Sequence, residues 1–179
     1  MPYQPEALRF PCPGAVTGVP VPRFADPECG GTVVAVVAEV EVNRKTGRVW
    51  PKRFTVAHDC GLVINPAGLK NCIEGNVVQG CSRALFEEVK FDKSSVKSVD
   101  WRSYPILEIG DAPEAVDVVL INRPEMAPQG AGEPAHRPIA AALANAIFDA
   151  TGARLRTAPF TPERVKAAMA SVGAKITSQ

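Results

Sequence analysis

A chain of 179 residues is long enough for one hydrophobic core and too short for two domains of ordinary size. Apolar residues make up 46% and charged residues 22%, a composition that excludes wholesale disorder. Twenty Lys and Arg against nineteen Asp and Glu leave a formal net charge of +1, so no summed positive field favours nucleic acid or an anionic membrane.

No stretch approaches the roughly 20 consecutive apolar residues of a membrane span. The amino-terminal MPYQPEALRF lacks the basic segment and apolar run of an export signal. A cytoplasmic location is expected, or a periplasmic one if a partner carries the chain out. Cys12, Cys29, Cys60, Cys72 and Cys81 are odd in number and contain no C-x-x-C pair. That argues against a disulfide framework, a structural zinc site and an iron–sulfur cluster. A redox centre must come from elsewhere.

In chain order, residues 1–31 are rich in proline and glycine and carry no sustained period, which reads as an extended arm. A tail or part of an interrupted domain is an equal alternative. From Thr32, TVVAVVAEVEV is a predicted strand, NRKTG a turn and RVWPKRFTVAHD a second strand, so a hairpin is expected with Pro51 at an edge or a bulge. Asn65-Pro66 is a helix start, and a helix from Pro66 to about Val89 aligns Leu69, Ile73, Val77, Cys81 and Leu85 on one stripe. Gly75 and Gly80 within it suggest close approach, by another helix or by a cofactor. Asp100–Leu107 is irregular or a short strand, and AVDVVLIN from Ala115 to Asn122 is a strand. A helix over about Ala135–Thr151, ended by Gly152, a strand-like RLRTAPF and a short helix opened by Thr161-Pro162-Glu163 complete the chain. The class is α+β, a hairpin and mixed strands with two main helices, with residues 32–179 as one domain.

The segment with unusual local chemistry is Gln129-Gly130-Ala131-Gly132-Glu133-Pro134-Ala135, between a strand and a helix. Gly130 and Gly132 permit backbone shapes closed to other residues and let a ligand reach the main chain. Pro134 is expected to turn Glu133 away from helical geometry. A carboxylate so placed can serve as a general base, or can simply charge the first turn of the following helix. The spacing G-x-G-x-x-A at 130, 132 and 135 imitates a dinucleotide fingerprint, but its context is wrong. The preceding strand ends too far upstream, Pro134 removes an amide, and no acidic residue follows at the ribose position, where ARLRTAPF stands.

Several motifs, in order and at native spacing, resemble the xanthine dehydrogenase and aldehyde oxidase family. They are His58-Asp59-Cys60-Gly61 with Ile64-Asn65-Pro66, Ile73-Glu74-Gly75 with Gln79-Gly80, and Ala84-Leu85 with Glu87-Glu88. Gly132-Glu133-Pro134 follows, then Ala144-Asn145-Ala146, Ala150-Thr151-Gly152, Arg154-Leu155-Arg156 and Thr161-Pro162-Glu163-Arg164. GLVINPAGL, SRALFEEV and WRSYPIL look closest to the isoquinoline 1-oxidoreductase and nicotinate dehydrogenase branch.

The resemblance implies the carboxy-terminal molybdopterin-binding domain of a molybdenum hydroxylase. It implies Glu133 as the base that takes a proton from a molybdenum-bound hydroxide. The oxygen would enter an electrophilic carbon of an N-heterocycle or aldehyde. Gly75, Gln79, Gly80, Gly130 and Gly132 would meet a molybdopterin, in its cytosine dinucleotide form, and no side chain of this chain would ligate the metal. An amino-terminal half or subunit and an iron–sulfur subunit are the implied partners, beside a small-molecule substrate. The chain departs from the family at Cys72, where many relatives have a pterin-contacting glutamine, and at Cys81-Ser82, where Leu-Gly is usual. The first departure slightly favours a competing reading, a non-catalytic interaction or assembly module derived from the same domain.

His58 and Cys60 fall on one face of a predicted strand, with a packed role expected over a nucleophile pair. His136 is expected on a helix surface, Arg154 and Arg156 alternate on a strand face that either contacts phosphate or is simply solvated, with equal weight, and Trp50 and Trp101 are expected as core or edge anchors.

Overall fold

The computed structural model describes residues 16–17 and 31–177, so the predicted arm over residues 1–31 lies, apart from Val16 and Thr17, outside the described residues. The elements are β1 (Val16–Thr17), β2 (Val33–Val42), β3 (Val49–Asp59), α1 (Pro66–Leu85), β4 (Ala115–Ile121), α2 (Glu133–His136), α3 (Ile139–Thr151) and α4 (Pro162–Thr177). They form a sheet of order β1-β2-β3-β4, antiparallel except for the parallel pair β3–β4. Parallel neighbours need a long crossover, and α1 with the segment after it supplies one.

The expected hairpin is β2–β3. Asn43 Oδ1 accepts from the amides of Lys45 and Thr46, both at 3.0 Å, and Gly47 closes the turn at φ +84°. Pro51 sits at a bulge: Val40 faces Pro51 while Glu39 faces Arg53, leaving Lys52 unmatched. Because β4 pairs with β3 only from Arg53 onward, the missing proline amide leaves no gap in that ladder.

Alternation sets the core. Val34, Val36 and Ala38 of β2 and Phe54, Val56 and His58 of β3 share one sheet face. Ile73, Val77 and Cys81 of α1 and Ile139, Leu143 and Ile147 of α3 are fully buried in the same core. The predicted α1 stripe is the buried one, with Leu69 only partly covered. Asn65 caps α1 by accepting from Gly68 N at 3.0 Å, and Pro66 occupies the first turn. Gly152, at φ +74°, ends α3 as its left-handed cap.

Five local expectations are corrected. Helix α1 stops at Leu85 rather than Val89, where the Phe86 and Glu87 amides turn back to Ser82 O. The helix foreseen over residues 135–151 is two: Pro138 has no amide to continue the ladder, and α2 and α3 separate at Arg137–Pro138. Glu133 is the first residue of α2 rather than a non-helical residue, because Pro134 is tolerated in a first turn. Residues 154–160 form no strand; Leu155 and Phe160 are buried by an irregular path, and Phe160 N donates to Ala84 O at 2.7 Å. The closing helix, α4, runs to 16 residues instead of being short.

Candidate functional site

The loop that carries Glu133 is fastened to the end of β3. Gln129 N donates to Cys60 O at 2.8 Å, Arg123 N to Gly61 O at 3.0 Å, and Leu62 N to Met126 O at 3.1 Å. Gly61, at φ +79°, allows this approach: a Cβ there would lie 2.3 Å from Ala127 O. Asp59 holds the turn from below, accepting from Gly61 N at 3.1 Å and pairing with Arg123 at 3.0 Å. Thr32 donates its hydroxyl to Gly130 O, which ties the same loop to the start of β2.

Beyond that anchor, Gly132 takes φ +89° and packs on α1. A Cβ there would lie 2.5 Å from Cys72 Sγ and 2.9 Å from Asn76 Nδ2. Helical spacing continues this stripe of α1 from Cys72 and Asn76 through Gln79 to Arg83, on the side away from the core. Nothing lies within 4 Å of where a Cβ would stand on Gly75 or Gly130. Gly132 thus meets α1 at Cys72 and Asn76, and helical spacing puts Gly75 and Gln79 on or beside that exposed stripe. Gly80 does not belong there. A Cβ on it would lie 2.8 Å from Ile139 Cβ, so its smallness serves the α1–α3 contact and the cofactor expectation is corrected.

Glu133 is 75% exposed in its side chain, and its Oε1 accepts from Arg137 Nη2 at 2.9 Å. That hydrogen bond, then the charge of the same guanidinium, holds its carboxyl below the usual carboxylate range, with smaller help from His136 and Arg83. His136 is half-buried rather than on the surface, and its Nε2 is inaccessible and has no hydrogen-bond partner among the described residues. Burial, then Arg83, push its pKa down, while Glu133 and Glu87 oppose them. Tyr104 donates to Glu87 at 2.7 Å, and the bond to that carboxylate pushes the phenol up. Arg83, Asn76 and Arg137 were not singled out in the sequence. An i,i+4 partner for Glu133 becomes readable only when Glu133 is taken as helical.

His58 and Cys60 are buried, in keeping with a packed role, and burial pushes His58 down and the Cys60 thiol up. Burial also pushes the Cys81 thiol up to about 12, so it is no nucleophile. Arg154 is exposed, bonded to Asn145 and stacked on Phe148 at 3.6 Å; Arg156 is exposed. Trp50 is half-buried beneath Lys52, whereas Trp101 is 77% exposed and anchors no core.

The family model of the molybdopterin cofactor-binding domain matches residues 23–113. The chain belongs to that family. Among members related to this molybdopterin-binding chain, a subunit of nicotinate dehydrogenase from Pseudomonas putida is 48% identical over 147 residues, which cover 82% of the chain and 12% of that protein. The beta subunit of isoquinoline 1-oxidoreductase from Brevundimonas diminuta is 33% identical across 72% of the chain and 16% of that protein. The crystallised aldehyde oxidoreductase from Desulfovibrio gigas superposes with a TM-score of 0.69 at 31% identity, over 78% of the chain and 15% of its own. The chain thus spans less than a fifth of each of these proteins, and its α+β fold is that of a molybdenum hydroxylase domain.

Gly75 on α1 and Gly130 in the loop each face open space, and Gln79 offers an exposed amide with both donor and acceptor, groups that a pterin could approach. Cys72, a poor hydrogen-bonding group, is exposed and has its sulfur close to Gly132.

Proposed function

We propose that this chain is the carboxy-terminal, molybdopterin-binding portion of a molybdenum hydroxylase that oxidises a carbon of an N-heterocycle or aldehyde, with Glu133 as its general base. The observation that carries this reading is the seating of the Gly130–Glu133 turn on the exposed stripe of α1, in a chain of the molybdopterin-binding family. Names among the relatives, nicotinate dehydrogenase and isoquinoline 1-oxidoreductase, support an N-heterocyclic substrate.

When bound, a molybdenum–molybdopterin group, in its cytosine dinucleotide form, would supply the oxygen-transfer and electron-accepting chemistry. Gly75 and Gly130 would leave room for its approach, and the Gln79 side-chain amide and the main chain at Gly132 would help to hold it. The Gly80 expectation is not carried forward. Glu133, kept ionised by Arg137, would accept the proton on a carboxylate oxygen after its side chain turns from the guanidinium towards the exposed α1 stripe. An exposed ion pair at i,i+4 spacing is weak, so that turn is easy. Closure of the face against water makes the carboxylate a better base.

An amino-terminal half, on the same or another polypeptide, provides the opposite wall, and an iron–sulfur subunit takes the electrons away. The similarity to nicotinate dehydrogenase and isoquinoline 1-oxidoreductase subunits supports the catalytic reading over a bare assembly module.

Glu133→Gln in the assembled enzyme is the test. Turnover is expected to fall by a factor of roughly 10²–10⁴ while the molybdenum content stays level. Unchanged turnover refutes the base assignment. The chain without its partners serves as the control and is expected to turn over no substrate.

A further inference from the structure

Glu133 opens α2, and Arg137 is the residue immediately after that helix, one turn on. The guanidinium Nη2 meets the carboxylate at 2.9 Å, and it is the sole side-chain hydrogen bond to Glu133 among the described residues. The other charged or titratable groups facing the carboxylate are His136 from α2 and Arg83 from α1, while Glu87, beyond α1, acts on His136. All three direct neighbours of Glu133 are cationic or can become so. The backbone beneath the carboxylate is fixed by the positive φ of Gly132, its contact with Cys72 and the ring of Pro134. Both partners of the ion pair are exposed and rotamer-rich, so the pair opens without movement of that backbone.

We propose that Arg137 is a positioning residue for Glu133, holding the carboxylate as an anion at the lip of the Gly130–Gly132 turn and releasing it by side-chain rotation alone. The inference rests on the reading of Glu133 as the base. Removing the guanidinium makes the anion easier to protonate, so the loss of activity on acidification sets in at higher pH. Protonation of His136 in the same direction adds positive charge beside Glu133 and softens that loss without replacing the hydrogen bond.

Arg137→Gln and Arg137→Lys test the proposal with two readouts. In the full chain, the isotope-labelled carboxyl resonance of Glu133, assigned by its absence in Glu133→Gln, is expected to titrate a few tenths of a pH unit higher in Arg137→Gln. Arg137→Lys is expected to restore part of that shift. In the assembled enzyme, the acid limb of kcat/KM is expected to move upward in the same order, with molybdenum content unchanged. Equal titration midpoints and superimposable acid limbs in parent and Arg137→Gln overturn the proposal. Should Glu133→Gln keep full turnover, the base reading falls and this inference with it; should Glu133→Gln be inactive while Arg137→Gln matches the parent, the inference about Arg137 falls alone.

Discussion

His58 is fully buried, and neither ring nitrogen has a hydrogen-bond partner among the described residues. An imidazole in that position is held neutral: burial lowers its pKa below the ordinary 6.5, and Asp59 opposes only in part. The unfolded chain takes up a proton near the ordinary value, and the folded chain only at lower pH. Stability from a neutral His58 is therefore complete above about pH 6.5 and is lost as the pH falls through the window down to the folded value. His136 shifts in the same direction and adds to the effect, whereas the carboxylates lowered by hydrogen bonds, such as Asp100, act at more acid pH. The urea midpoint of the full chain is expected to be lower at about pH 5.5 than at about pH 7.5, and His58→Leu should shrink that difference. An undiminished difference in His58→Leu assigns the dependence to other groups. At this scale the sequence was only partly legible. A histidine two residues from Cys60 on a strand reads as packed, but its lack of a partner depends on what the helices place over it. Arg137 was hidden for a different reason. The local bias of Pro134 argues against a helical Glu133, and that argument removes the i,i+4 neighbour from view.

Two glycines of α1 that look alike in sequence have opposite surroundings. Gly80 faces the branch point of Ile139, whose Cβ, Cγ1 and Cγ2 would lie 2.8, 2.9 and 3.1 Å from a methyl group placed on it, so rotating a flexible side-chain end cannot make room. Gly75 faces open space. Gly80→Ala sets an overpacking cost of about 1–3 kcal/mol against a gain of about 1 kcal/mol in helix propensity, so stability is expected to fall by up to about 2 kcal/mol. Gly75→Ala keeps only the propensity gain and should raise stability by about 0.5–1 kcal/mol. Urea unfolding of both variants checks the pair, and a stabilised Gly80→Ala would contradict the α1–α3 packing. Sequence alone marks both positions as breaks in a stripe and cannot say which one another helix fills. The elements themselves were easier to read, because Asn65-Pro66, the NRKTG turn and Gly152 act within a few residues. The misread strand at residues 154–160 had alternating Leu155 and flanking arginines but no ladder neighbour, and pairing is a property that no local pattern encodes.

The whole molecule is a sheet with helices on one face. On the other, β4 turns Val119 and Ile121 outward and β2 turns Val33 and Ala35 outward, with Ala57 and Asp59 of β3 between them, while Arg53–Asp117 and Lys52–Glu114 ion pairs lie towards the opposite end of the strands. The strand AVDVVLI carried this in its sequence, since Val116, Val118 and Leu120 pack inward and apolar residues stand on both faces; the bare face itself depends on how the helices distribute. Because β4 is also the sheet's edge among the described residues, it offers backbone groups unpaired there next to exposed valine and isoleucine, a combination that promotes association between chains. A lysine at the centre of that edge places a charge where an incoming strand would pack. The isolated chain is therefore expected to show a weight-average mass that climbs with concentration in sedimentation equilibrium, and Val119→Lys should stay near the monomer value with an unchanged far-ultraviolet dichroism spectrum. Because Val119 is already half-exposed, the substitution leaves the core contacts of Val118 and Leu120 in place, so a loss of association can be read as a property of the face rather than of unfolding. Equal association in parent and variant would mean that the contact between chains lies elsewhere, with the exposed Phe91, Val99, Trp101 and Ile109 of the segment before β4 as the next surface to alter.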